Sequence, residues 1–343
     1  MEKQKKIRIV QIGVTHEHAR GKIRTLRLLP DLFEIAGVVD DRESACTPYF
    51  SGCYELYENL RHYTLDEALA DPTIEAAVIE VPNNELVPVS LRCMERGLPM
   101  HMDKPGGEDM ELFRKLLRGC RQRNLPFQMG YMFRPNPMFR FAEEVCRKGW
   151  LGDIFHIEAD MNHNYGTAEY EEYIGKFRGG IMYNLGCHII DVIARIMGRP
   201  DKVIPVPGSA PGFPDRILNN CAAVLVYPHA SAMIVSCSQD AMGSDSRRIA
   251  IRGTKGTIVM SPLEIYDGKT PMTLQLFLSQ DSEEYRAGLH TVSFPPCEDR
   301  YLNQLTEFAR IIRGEIPDPL EFDQDELTQE ITLAASGLIP WKG

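Results

Sequence analysis

The stretch IRIVQIGVTHEHARGKIRTLRLL, residues 7–29, decides how this chain is read. Ile7–Ile12 is a short apolar run with the length of a buried strand. A helical pattern follows from about His16 to Leu29 and stops near Pro30. A helix that opens straight after a strand presents free N–H groups and a positive dipole end, the architecture that holds a pyrophosphate. The usual loop for that task is G-x-G-x-x-G. Here it reads Gly13-Val14-Thr15-His16-Glu17-His18, and only the first glycine is present. Thr15 stands where the backbone closely approaches the pyrophosphate, and His18 where helix and strand pack tightly. Gly13, Thr15 and His16 are the loop's candidate cofactor residues.

A second strand, Phe33–Val39, ends in Asp40-Asp41. A carboxylate there accepts hydrogen bonds from ribose hydroxyls and repels the 2′-phosphate of NADP. Asp40 is therefore the expected ribose ligand and NAD the expected cofactor, with NADP disfavoured. Its separation from Gly13, 27 residues, is somewhat longer than the usual interval of about 20. His16 and His18 do not make a metal pair, because residues two apart on a helix point in different directions. No metal is expected.

The same grammar continues outward. Thr64 and Glu67 form a T-x-x-E capping box. Strands are predicted over 76–81, 99–102 and 126–130, and helices over 85–96 and 108–122. Strands alternating with helices imply a parallel sheet with right-handed crossovers. Past residue 131 the pattern changes. A strand at 154–161 and a helix at 180–198 precede strand pairs around Pro228-His229 and Thr254-Lys255, a further strand TLQLFL, and two closing helices at 301–313 and about 323–336. This predicts an α/β dinucleotide-binding domain over 1–130 and an α+β domain with a large, mostly antiparallel open sheet over 131–322. The final helix and tail, 323–343, are placed so as to pack back toward the first domain.

Composition narrows the function classes. The 343 residues are 43% hydrophobic and 25% charged, ordinary for a globular chain that needs no staple. A net charge of -10 argues against nucleic acid as the main partner. The start, MEKQKK, is a short basic run leading directly into a strand, so neither a signal peptide nor a membrane span is expected. Nine cysteines, with no C-x-x-C pair, fit reduced thiols in the cytosol, most of them small core residues.

The motif HMDKPGG, residues 101–107, sits between a strand and a helix. It resembles the E-K-P mark of the glucose–fructose oxidoreductase/inositol dehydrogenase/MocA (Gfo/Idh/MocA) family, with Asp103 in place of the Glu. Pro82-Asn83 resembles the family's T-P-N, with Val81 for Thr. GYMFRPNP (130–137), LGDI (151–154), GGIMYNLGCHIID (179–191) and IRGTKGTI (251–258) continue the match in order. The resemblance spans nearly the whole chain. It implies a Rossmann domain, a C-terminal domain on an open sheet whose outer face makes a homodimer or homotetramer, and a nicotinamide cofactor. It also implies substrates that are sugars, polyols or related ring compounds. Pro82, Asn83, Lys104 and Pro105 join the cofactor-contacting candidates by that resemblance.

On a wheel of 3.6 residues per turn, Asn184, His188, Asp191 and Arg195 fall together on one side of the helix at 180–198. Geometry alone allows a solvated stripe. The resemblance implies instead that His188 is catalytic. Oxidising a carbinol requires a base for the hydroxyl proton and a donor for the oxygen's growing charge. His188 suits the first task and Lys104 either. Where the family usually has Asp four residues before the His, this chain has Asn184, which cannot act as a base but can hold a hydroxyl. Asp191 matches the motif's trailing Asp and is placed to orient His188. Tyr131, Arg134, His163 and Arg178 are further candidates for binding substrate, alongside Lys104, Asn184 and His188. Asn136, Tyr165 and Lys176 occupy similar loop positions and are as readily explained by local bonds. Two other readings stay open: glycoside cleavage by transient oxidation and elimination on the same machinery, and a non-catalytic sugar or nucleotide sensor.

Overall fold

The computed structural model describes residues 5–45 and 54–343. Cys46, Cys53 and the first four residues of the MEKQKK run lie outside the described residues. The chain divides into two compact units, residues 1–132 with 300–326 and residues 133–299 with 327–343.

The first unit begins β1 (Ile7–Ile12), α1 (Ala19–Leu28), β2 (Phe33–Val39), β3 (His62–Tyr63) and α2 (Leu65–Ala70). It continues β4 (Ala76–Ile79), α3 (Leu86–Arg96), β5 (Met100–Met102), α4 (Met110–Arg123) and β6 (Phe127–Met129). The sheet order is β3-β2-β1-β4-β5-β6 and every neighbouring pair is parallel. Strands covered on both faces must be apolar throughout, as AAVI of β4 is. The Thr64–Glu67 capping box forms as read, with both reciprocal bonds made. Gly13 has φ +100, and a Cβ there would lie 2.4 Å from the backbone oxygen of Glu80, so only glycine fits this turn. Chain order reverses between β1 and β4, and the carboxyl ends of strands at such a reversal are where open α/β sheets bind ligands.

The second unit carries α5 (Pro137–Arg147), β7 (Ile154–Asp160), α6 (Ala168–Ile174), a π-helical turn (Met182–Gly186) and α7 (Cys187–Met197). Then follow β8 (Lys202–Val206), β9 (Asn220–Tyr227), β10 (Ala230–Cys237), β11 (Arg248–Gly253), β12 (Gly256–Met260), β13 (Met272–Leu278) and β14 (Gly288–Phe294). They form one sheet, β14-β13-β12-β11-β7-β10-β9-β8, antiparallel except for β7 beside β10. Ile157, Ala159, Ala232, Ile234, Ile249 and Ile251 are buried on one face, and α7 packs on β10 and α5 on β13 and β14. The opposite face exposes Ile204, Val206, Met233, Val235, Val259 and Phe277.

The expected boundaries need correction. Helix α8 (Leu302–Ile312), placed by the sequence within 131–322, belongs to the first unit. Its Leu305, Phe308 and Ala309 share one core with Ile9, Ile23 and Val78. Helix α9 (Phe322–Ala335) contributes its start to the first unit, but residues 327–343 belong to the second, so the tail does not form a separate segment. Glu330 pairs with Arg199, and the Trp341 indole N–H donates to Pro200 O. An apolar helix face on its own says that it is buried, not against which sheet.

Candidate active site

In the first unit, the carboxyl ends of β1, β4 and β5 bring 13–18, 80–83 and 103–105 together. The cluster is dense in buried polar groups: Thr15, His16, Lys22, Glu80, Asn83, His101, Asp103 and Lys104 are all at most 2% exposed. Asp103 is its hub. Its Oδ1 accepts the Lys104 backbone N–H at 2.7 Å, and both its oxygens lie 3.1 Å from His18 Nδ1. The Lys22 ammonium sits 3.5 Å from Asp103 Oδ2, 3.8 Å from Glu80 Oε1, 2.5 Å from His101 Nε2 and 4.3 Å from the Tyr301 ring centre. His16 Nε2 reaches Asn83 Oδ1 at 2.8 Å, and its Nδ1 accepts the His18 N–H at 3.1 Å. Lys104 Nζ lies 3.3 Å from Glu17 Oε1.

Burial sorts these charges. It holds His16 down at about 4, and His101 at about 3 with help from the Lys22 charge beside it, so both imidazoles are neutral. Burial, then the neighbouring Asp103 carboxylate, pushes the Glu80 carboxyl well above its usual range. Burial would also raise Asp103, but the facing His18 ring and the Lys22 ammonium outweigh it and hold this carboxyl well below its usual range. The donor atoms of His16, Glu80 and Asp103 lie within 4.8 Å of one another, and the Lys22 ammonium supplies positive charge there.

The nucleotide loop shows a division of labour at the end of β2. The Asp40 carboxylate is bidentate to the Arg42 guanidinium, at 2.9 and 2.7 Å, and Arg42 stacks 3.6 Å from the Tyr54 ring centre. Asp41, buried, turns to the loop and accepts the Val14 N–H at 2.7 Å and the Thr15 hydroxyl at 2.5 Å.

In the second unit, His188 and Asn184 flank the junction of the π-helical turn with α7. Both are buried, as is the rest of that stretch through Ala194, so the polar stripe does not face water. Wider i→i+5 turns recur at functional sites because they re-aim side chains without breaking the helix. Asn184 Nδ2 donates to the Tyr170 hydroxyl at 2.9 Å, and the His188 ring lies 5.9 Å from that of Phe133. The rings of His163, Tyr165 and Tyr170 stack at 3.9 and 3.6 Å, so His163 connects to Asn184 through aromatic neighbours. Two expectations change. Asp191 does not orient His188: its carboxylate grips Arg134 at 2.6 and 2.9 Å and accepts the Thr328 hydroxyl at 2.9 Å. Arg134, expected on substrate, spends its fork on that buried pair. Asn136 caps α5 by accepting the Met138 N–H. Tyr131 is buried in the first unit, while Lys176 and Arg178 are exposed.

Residues 139–259 match the GFO/IDH/MocA C-terminal domain. The chain is 28% identical over 265 residues to an uncharacterized oxidoreductase of Rhizobium meliloti, covering 75% of each. It is 22% identical over 204 residues to scyllo-inositol 2-dehydrogenase (NADP(+)) of Bacillus subtilis, covering 58% of this chain and 55% of that one. Its fold superposes on a UDP-N-acetylglucosamine 3-dehydrogenase of Acidithiobacillus ferrooxidans with a TM-score of 0.75 at 18% identity, over 98% of both chains. Residues 139–259 thus carry the C-terminal domain of the Gfo/Idh/MocA oxidoreductases, and the chain as a whole is similar to proteins named oxidoreductases.

Against the family's motifs, this oxidoreductase carries its acidic residue before the lysine as Asp103, and that shorter side chain serves His18 and Lys22. Lys22, Glu80, His101, Tyr301 and Asp41 were not singled out by the sequence reading. Two of them left a signal. Ala19, Lys22, Ile23 and Leu26 share one helical face, which aims Lys22 inward. Glu80 directly follows the all-apolar strand β4, where a charged residue is rarely solvated. Tyr301 carries no such mark, because its contact comes from a segment nearly 200 residues further along the chain than Asp103.

Proposed function

We propose that this oxidoreductase uses NAD to interconvert a hydroxyl and a carbonyl on a sugar, polyol or sugar derivative. The observation that carries the reading is Lys104, fully buried at the carboxyl end of β5 and held by Glu17. A lysine is seldom buried without a partner, and one desolvated beside a single carboxylate at a strand end is suited to exchanging a proton with a hydroxyl.

The residues present fit a dinucleotide. The acceptors at the end of β2 suit the vicinal hydroxyls of a ribose, and the Arg42 charge is engaged by Asp40 rather than offered to a phosphate. Gly13, Thr15, His16, Asp40, Pro82, Asn83, Lys104 and Pro105 are the residues assigned to hold it. When bound, the nicotinamide supplies the carbon that gives or takes a hydride. Lys104 and His188 handle the hydroxyl proton and the oxygen's developing charge, and Asn184, fixed by Tyr170, binds a substrate hydroxyl. The calorimetric affinity for NAD is expected to exceed that for NADP, and NADH absorbance is expected to rise with some members of a polyol and sugar panel. Tighter NADP binding would refute the cofactor choice, and silence across the panel the substrate class.

We further assign the exposed face of the second unit's sheet to contact with another copy. Ile204, Val224 and Met233 lie in one cross-strand row and Val206, Ala222 and Val235 in the next, an apolar surface beside the charged Glu158, Asp160 and Arg248. Light scattering is expected to return a dimer or tetramer, and Met233→Lys to shift it toward monomer. A monomeric wild-type chain at micromolar concentration rules this out. Among the described residues no helix is long and apolar enough to cross a membrane.

A further inference from the structure

We propose that His18, oriented by Asp103, carries protons between Lys104 and water by way of Glu17. This rests on the reading above that Lys104 takes the hydroxyl proton of the substrate.

The geometry sets the groups in sequence, with a hydrogen bond from Lys104 to Glu17 and a gap from Glu17 to His18 that closes by a few tenths of an ångström for transfer. One oxygen, Glu17 Oε1, lies between the two bases, 3.3 Å from Lys104 Nζ and 3.7 Å from His18 Nε2. On the other side of the ring, His18 Nδ1 is 3.1 Å from both Asp103 oxygens. A carboxylate only accepts, so Nδ1 carries the hydrogen and the lone pair is left on Nε2, facing Glu17. Asp103 stays ionised because the Lys22 ammonium and the Lys104 backbone N–H both face it. His16 does not compete for this role: its Nδ1 accepts the His18 N–H and its Nε2 is bound to Asn83.

Exposure gives the path a direction. The side chains of Lys104, Glu17 and Asp103 are 1%, 8% and 0% exposed, and that of His18 is 14%. The proton leaves at the one member that water reaches best. Before oxidation the resting Lys104 ammonium sends one proton along this path and becomes the amine; the substrate's O–H bond then breaks, its electron pair stays on oxygen, and its proton converts the amine back to ammonium. The ammonium passes a proton to Glu17 Oε1 and becomes an amine again. The Glu17 acid gives that proton to His18 Nε2, and the imidazolium, its Nδ1–H still held by Asp103, turns its Nε2–H to water and releases it there. In reduction the sequence runs backward. No reactant beyond that of the proposed reaction is consumed. This also gives His18 a use in a loop position where a dinucleotide fold otherwise has glycine.

The test uses the full-length protein labelled with ¹⁵N-histidine, with His18→Gln assigning the signal. Two-bond ¹H–¹⁵N correlation is expected to show neutral His18 as the Nδ1–H tautomer, the less common form in water, and Lys104→Met is expected to displace its Nε2 resonance. An Nε2–H tautomer, or a resonance indifferent to Lys104→Met, overturns the relay without reference to turnover. In kinetics, His18→Ala is expected to lower kcat by about tenfold or more with cofactor affinity unchanged, and added imidazole to restore part of the loss. A structural role would not respond to imidazole, so a loss without rescue, or no loss, also overturns it. If the wild type oxidises nothing on the panel, the function proposed above fails, and the tautomer and the Lys104→Met shift still decide the relay.

Discussion

Lys104→Met and His188→Gln are each expected to lower kcat by about 10²–10⁴-fold, the range for losing a positioned proton-transfer group. Cofactor affinity is expected to change little in His188→Gln and to fall by less than kcat in Lys104→Met, because Lys104 is one of several residues assigned to the cofactor and the Gly13–Thr15 loop and the carboxylates that end β2 are untouched. The two substitutions differ in their effect on stability. Methionine at 104 keeps the buried stem of lysine but leaves the Glu17 carboxylate, 8% exposed, without the ammonium at 3.3 Å. Some stability is lost with it, because a desolvated charge without its counter-ion is costly. Glutamine at 188 keeps volume and polarity and is expected to leave the unfolding midpoint near wild type. Steady-state kinetics with calorimetric cofactor titration separate the effects. A kcat within about threefold of wild type in a folded variant would take that residue out of the reaction.

Arg134→Met is expected to cost about 3–5 kcal/mol of stability, read as a lower urea midpoint. Arg134 and Asp191 are 8% and 1% exposed at their side chains and joined by two bonds of 2.6 and 2.9 Å. Removing the arginine alone leaves the Asp191 charge buried, with the Thr328 hydroxyl as a weak replacement. The double change Arg134→Met with Asp191→Leu is expected to recover most of the loss, because a buried pair contributes little beyond its own desolvation. If Arg134→Met costs less than about 1 kcal/mol and instead raises KM, the guanidinium serves substrate, as the sequence first suggested.

The particular residues show where sequence reading reached its limit. Lys104 and His188 were legible because each sits in a short contiguous motif with a fixed place relative to a strand or helix. Asp191 was legible as a polar position but not in its role. A wheel drawn at 3.6 residues per turn cannot anticipate the π-helical turn at Met182–Gly186, nor that Arg134 would arrive from the loop before α5. The stripe of Asn184, His188 and Asp191 likewise looked the same whether it faced water or an interior. Helix α8 was found in place and assigned to the wrong unit, because its apolar face matches any core of suitable shape.

By itself the sequence determined the alternation of strands and helices, the parallel character of the first sheet and the mostly antiparallel second one, the capping box at Thr64, and the positions of Gly13, Lys104-Pro105 and His188 as candidates. These follow from short-range rules, the periods of helix and strand and the conformational freedom of single residues, which act between near neighbours. The tertiary structure alone decided how burial acts on each charge: Glu80 pushed well up, His16 and His101 neutral, Asp103 held down between His18 and Lys22. Ionisation depends on what stands within a few ångströms, and those neighbours come from β1, α1, β4, β5 and the start of α8. The weak loop Gly13–His18 is the sharpest case. As a motif it had lost two glycines; in the fold, His16 and His18 stand in their own polar cluster.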